Sequence, residues 1–111
     1  MTAEHPLIGD TMYSFTIAVP APIEAYDGLH HALIDVTGGE VDGMLLHLAR
    51  QTETGYEVTE VWRSKEAFDR FAADTLGPVL ADLSGRDAPP PIMIQPFDLR
   101  GLLIPSEHLV L

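Results

Sequence analysis

The chain is 111 residues long, the usual length of one domain, and is 46% apolar and 21% charged, a globular rather than a disordered composition. It has no cysteine, which excludes a disulfide scaffold, a thiolate zinc site, an iron–sulfur cluster and a cysteine nucleophile. Six Lys and Arg against 17 Asp and Glu, a net charge of −11, set the surface against phosphate backbones and anionic lipid. No apolar run reaches the roughly 20 residues of a bilayer span. The start MTAEHPLIGD has neither a basic residue nor the apolar stretch of a signal peptide. The expectation is a cytoplasmic protein that binds neither nucleic acid nor membrane.

Residues 1–10 read as a loose arm. Met12 to Val19 sets Tyr13, Phe15, Ile17 and Val19 on one side and Met12, Ser14, Thr16 and Ala18 on the other, the period of a strand. Pro20-Ala21-Pro22 stops it, and Pro22 suits the first turn of a helix, where a missing N–H costs nothing. Ile23, Tyr26, His30, Leu33, Ile34 and Thr37 then fall in one stripe at helical spacing. Glu24, Asp27, His31 and Asp35 lie away from it, and Gly38-Gly39 closes the helix. Val41 to Gln51 and Tyr56 to Arg63 are strand-like and joined by the short loop Thr52–Gly55, a β-hairpin. Met44 to Ala49 is apolar on both faces, so that strand is covered on both sides.

Ser64 is a good N-cap, with Glu66 in the first turn and Ala67, Phe68, Phe71, Ala72, Thr75 and Leu76 as the apolar stripe. Gly77-Pro78 interrupts this helix, and Pro78 starts a short segment from Val79 to Leu83. Ser84 to Pro91 is a connector. Ile92 to Ile104 is a strand broken by Pro96 and Gly101, which points to an edge or a bulge. The tail to Leu111 is apolar.

The order β-α-β-β-α-β over residues 1–111, with the core in about 12–100 and a tail from 101 to 111, predicts an α+β fold of the ferredoxin-like kind. Four antiparallel strands form one sheet with both helices on one face. The other face is apolar as well, which predicts a second copy packed sheet to sheet in a homodimer.

The run Gly43–Leu83 resembles the antibiotic-biosynthesis-monooxygenase-like proteins of the dimeric α+β barrel superfamily. The residues that carry the likeness are His47 on the second strand, Gly55 beside the aromatic Tyr56 in the hairpin turn, Val61-Trp62-Arg63-Ser64 running into the helix, the Phe68/Phe71 pair, and Tyr26-Asp27 upstream. It extends over about residues 12–100. The resemblance implies a dimeric α+β barrel with a pocket between sheet and helices. It also implies a cofactor-independent monooxygenase, or a related enzyme, acting on an aromatic or polyketide-like molecule. A non-catalytic ligand-binding or accessory dimer of the same fold is the alternative. The haem-degrading branch uses a histidine on the second helix as axial ligand, and Ser64–Leu83 contains none.

His47 and His30 are the expected proton-transfer residues, because imidazole titrates near neutral pH. A histidine satisfied inside the core, or at the dimer seam for His47, is the competing reading. Since Leu45, Leu46 and Leu48 already bury the strand, His47 is expected to be dispensable for stability. Tyr26, Trp62 and Phe71 are expected to position an aromatic ligand, with core packing as their competing role. Glu60 reads as a solvated or Arg-paired carboxylate, or else as a base. Asp27 and His31 are spaced i,i+4, but a zinc site wants three protein ligands. No metal and no cofactor are expected.

Overall fold

The structure is a computed structural model that describes residues 12–85 and 93–110. The expected arm at 1–10 and the proline run of the connector lie outside the described residues. The elements are β1 (Tyr13–Val19), α1 (Ile23–Thr37), β2 (Met44–Gln51), β3 (Tyr56–Trp62), α2 (Lys65–Phe71), α3 (Gly77–Ser84), β4 (Met93–Pro96), β5 (Leu103–Ile104) and β6 (Leu109–Val110). The first four strands in chain order make one antiparallel sheet in the order β2-β3-β1-β4, with the helices on one side. This is the predicted β-α-β-β-α-β plan.

The observed register is consistent with the period-two pattern. Phe15 pairs with Glu60, Ile17 with Val58, Val19 with Tyr56, and on the other flank His47 pairs with Glu60 and Ala49 with Val58. Opposed residues share a face, so these side chains all point to the helix layer. There Phe15, Trp62 and Ala67 form one buried cluster, with Phe68 and Phe71 packed against it, and Val19, Tyr56 and Val58 form a second. The opposite face carries Thr16 against Thr59, Leu46 against Val61, and Leu48.

Several expectations shift. The second strand begins at Met44 rather than Val41, because Gly43 turns the chain at φ +87° and Met44 N–H bonds back to Val41 C=O. A Cβ on Gly43 would stand 2.6 Å from the Cβ of Ala67, so the bare backbone lets α2 approach this turn. Pro22 sits at the N-cap of α1, one residue before the first turn. Pro78 does not break the second helix. A π turn at Ala72–Leu76 joins α2 to α3, with Gly77 N–H bonded to Ala72 C=O, five residues back. Proline has no N–H for the carbonyl four residues earlier and crowds it, and the wider turn just before Pro78 accommodates that loss.

The caps agree with the sequence. Ser64 accepts from Ala67 N–H at 3.1 Å, and Gly38 closes α1 in the left-handed region with its N–H on Ile34 C=O. The strand expected over Ile92–Ile104 is shorter: β4 ends at Pro96, and Leu103–Ile104 belongs to a separate two-stranded sheet. Of the two placements that Pro96 allowed, an edge or a bulge, β4 takes the edge, and among the described strands it pairs only with β1. Beyond Gly101 the chain forms the small hairpin β5–β6, in which Leu103 and Val110 are exposed. No helix among the described residues is long and apolar enough to cross a membrane.

Candidate functional site

α1 crosses the helix face of the sheet without burying any residue fully, unlike β1 and β3. Tyr26 and His30, one helical turn apart on its inward stripe, reach toward β2 and β3. The Tyr26 hydroxyl lies 2.7 Å from His47 Nε2 and 3.1 Å from His30 Nδ1. His47 Nδ1 lies 2.7 Å from Glu60 Oε2, and Trp62 Nε1–H donates to Glu60 Oε1 at 2.8 Å. A continuous hydrogen-bonded chain therefore runs Trp62–Glu60–His47–Tyr26–His30, from the core to the half-buried helix face. The rings of Tyr26, His30 and His47 are nearly parallel, with interplanar angles of 13° to 21°.

Each link has a local cause. His47 and Glu60 are direct cross-strand partners, so sheet register sets their contact. Glu60 and Trp62 are two apart on β3 and face the same way. Glu60 is only 8% exposed, and a carboxylate that deep must be paired. Its partners are His47 and Trp62, so of the three readings that its sequence setting allowed, solvated, Arg-paired or base, the first two do not hold. Arg50, the cation on the neighbouring strand, pairs with Glu57 instead. Burial, then the charges of Asp27 and Glu60, and then Tyr56, push the Tyr26 hydroxyl above the ordinary tyrosine range. Tyr26 thus keeps its proton near neutral pH and can both donate and accept. Burial raises Tyr56 as well.

The fold brings together three of the sequence-predicted residues, His47, His30 and Tyr26, and resolves the strand register in favour of a shared face. Trp62 joins them only through Glu60. It is fully buried among Phe68 and Phe71, with ring centroids 5.6 and 5.4 Å away. Phe71 is remote from the histidines and lines a hollow of about 210 Å3 with Val41, Ala67, Arg70 and Asp74. A second hollow of about 310 Å3 lies at the β2–β3 turn, beside Pro22 and Gly55. Neither is lined by the Tyr26–His47 cluster. Glu60 is the residue that sequence reasoning undervalued. The available signal was a lone carboxylate in phase with the core residues Val58 and Trp62. Among the described residues no three His, Asp or Glu side chains gather to hold a metal.

The chain has the fold of solved antibiotic biosynthesis monooxygenase-like structures. A candidate antibiotic biosynthesis monooxygenase from Caulobacter crescentus CB15 superposes with a TM-score of 0.61 at 16% identity, over 80% of this chain and 90% of that one. A second candidate, from Chloroflexus aurantiacus J-10-fl, gives 0.59 at 19% identity, over 82% and 95%. SnoaB, a cofactor-independent oxygenase from Streptomyces nogalater, gives 0.56 at 16% identity, over 84% and 95%. No protein-family model and no curated protein matches the chain.

Proposed function

We propose that this chain is the subunit of a small homodimeric oxygenase that oxidises an aromatic, polyketide-like phenol with molecular oxygen and no bound cofactor. The observation that carries the reading is the hydrogen-bonded chain Glu60–His47–Tyr26–His30 between helix and sheet. In such chemistry the substrate is its own electron source, and the protein supplies proton transfer and a dry setting. In the keto tautomer of the phenol an activated ring CH2 loses a proton to imidazole. The carbanion reduces O2 and forms a C–O bond, the peroxide takes the proton back, and loss of water leaves a carbonyl. One O2 is consumed and one water released. His47 and His30 move the protons, Tyr26 connects them, and Trp62 backs the cluster through Glu60.

The homodimer is supported by the sheet face opposite the helices, where Leu48 is 46% and Met93 64% exposed, and by the exposed apolar hairpin at the tail. The likeness to a cofactor-independent oxygenase supports the oxygen chemistry at the level of fold. A non-catalytic ligand-binding dimer is the second reading, favoured by the hollow at Phe71, which lies apart from the histidines.

Oxygen uptake with anthrone- or naphthol-type substrates separates the two. Uptake proportional to protein, falling at least about tenfold (about 1.4 kcal/mol in the barrier) in His47→Asn, is expected. Ligand binding with no oxygen uptake across the series would leave the accessory reading in its place.

A further inference from the structure

We propose that Glu60 is a positioning residue that holds the neutral His47 ring in the tautomer protonated at Nδ1, leaving Nε2 as the basic nitrogen that faces Tyr26. The inference rests on the proton-transfer reading of the same cluster.

The argument starts from the indole. Trp62 Nε1 can only donate, and Trp62 is fully buried with Phe68 and Phe71 against its ring, so its N–H direction is fixed. Glu60 Oε1 must accept from it at 2.8 Å. That bond sets the rotation of the carboxylate and aims Oε2 at His47 Nδ1, 2.7 Å away. A carboxylate has no proton to give. If the neutral ring carried its proton on Nε2, two lone pairs would face each other across this distance in a low-dielectric site. The stable arrangement puts the proton on Nδ1.

The assignment then propagates. Tyr26 O–H donates to His47 Nε2, and the Tyr26 oxygen accepts from His30 Nδ1–H. When His47 takes a second proton, on Nε2, that nitrogen becomes a donor. The Tyr26 proton moves to His47 Nε2, the His30 Nδ1 proton moves to the Tyr26 oxygen, and His30 is reprotonated from outside at Nε2, so Tyr26 then donates to the bared His30 Nδ1. Two short proton shifts pass the change across the cluster, and Glu60 keeps the Nδ1 end of the His47 ring fixed.

The test is the His47 ring nitrogen spectrum of the 15N-labelled protein without substrate, followed over pH and read where the ring is neutral. The wild type is expected to show a single neutral tautomer protonated at Nδ1. Glu60→Gln is the informative variant. Trp62 N–H still requires the amide oxygen, which leaves the amide NH2 facing Nδ1. His47 must then accept at Nδ1 and move its proton to Nε2. The tautomer is therefore expected to invert. Adding Trp62→Phe frees the amide to flip and is expected to restore the Nδ1 proton.

A wild-type ring protonated at Nε2, a mixture of tautomers, or a Glu60→Gln spectrum unchanged from wild type would overturn the proposal. Should Glu60→Gln fail to fold, the wild-type assignment decides alone. The readout needs no turnover: an inactive protein with the inverted spectrum refutes only the oxygenase reading, and an active one whose tautomer ignores Glu60 refutes only this one.

Discussion

The Tyr26 hydroxyl has two imidazole partners, and no other side chain is hydrogen-bonded to either His30 or His47 Nε2 among the described residues. Tyr26→Phe keeps the ring contact with Tyr56 and removes only the link. An orphaned buried acceptor costs roughly 1–3 kcal/mol. We expect a stability loss in that range by urea titration, with oxygen uptake falling as well; an unchanged midpoint would show that water replaces the hydroxyl. His47→Leu is expected to destabilise by a similar amount, because it strips a donor from buried Glu60 and a partner from Tyr26. This reverses what the apolar neighbours of His47 suggest. The alkaline limb follows from Tyr26 and Tyr56, both raised in the fold. A raised folded pKa means that the unfolded chain loses its proton first. The stability is intact below the ordinary tyrosine value near 10 and falls as pH rises through the folded values. Denaturation midpoints should therefore drop above about pH 10, and less steeply in Tyr56→Phe; equal slopes would contradict this.

At the scale of elements, two glycines predict opposite signs. Gly43 turns the chain into β2 at positive φ, and a Cβ there would meet that of Ala67. Gly43→Ala is expected to cost about 2 kcal/mol through strain and overpacking. Gly28 lies within α1, with nothing within 4 Å of a Cβ. Gly28→Ala is expected to stabilise by about 0.5–1 kcal/mol by lowering the entropy lost on forming the helix. Calorimetry of the pair checks both, and a common sign would refute one of the two arguments. The π turn before Pro78 belongs to the same scale. Helix propensity marks Gly77-Pro78 as a break, yet one widened turn carries the chain through.

For the whole molecule, the question is what covers the second face of the sheet. A single layer of helices leaves Leu48 and Met93 open, and a second copy would bury them with the tail hairpin. Light scattering at micromolar concentration is expected to give a dimer. Leu48→Lys, and truncation after Gly101, are each expected to weaken it. A monomer in the wild type would remove the dimer, and a dimer untouched by truncation would remove the tail from it.

Elements, their order and the two faces of β1 were legible in the sequence, because period-two and helical spacing are local properties read within a dozen residues. Caps at Ser64 and Gly38 were legible for the same reason, whereas Pro96 left an edge or a bulge open and the sheet order decided for the edge. The pairing of His47 with Glu60 was not, since a slip of one residue in β2 against β3 sends every side chain to the other face, and the bulge between Met44 and Leu46 shifts the count. Nor was the role of Glu60. A carboxylate between Val58 and Trp62 is costly until partners are known, and the partners lie on its own strand, on the neighbouring strand and, through Tyr26, on a helix. Local chemistry named the histidines and the tyrosine. Only the closing of three segments upon one another decided that they form a single hydrogen-bonded chain, because hydrogen bonds have a range of about 3 Å and chain neighbours alone do not set such distances.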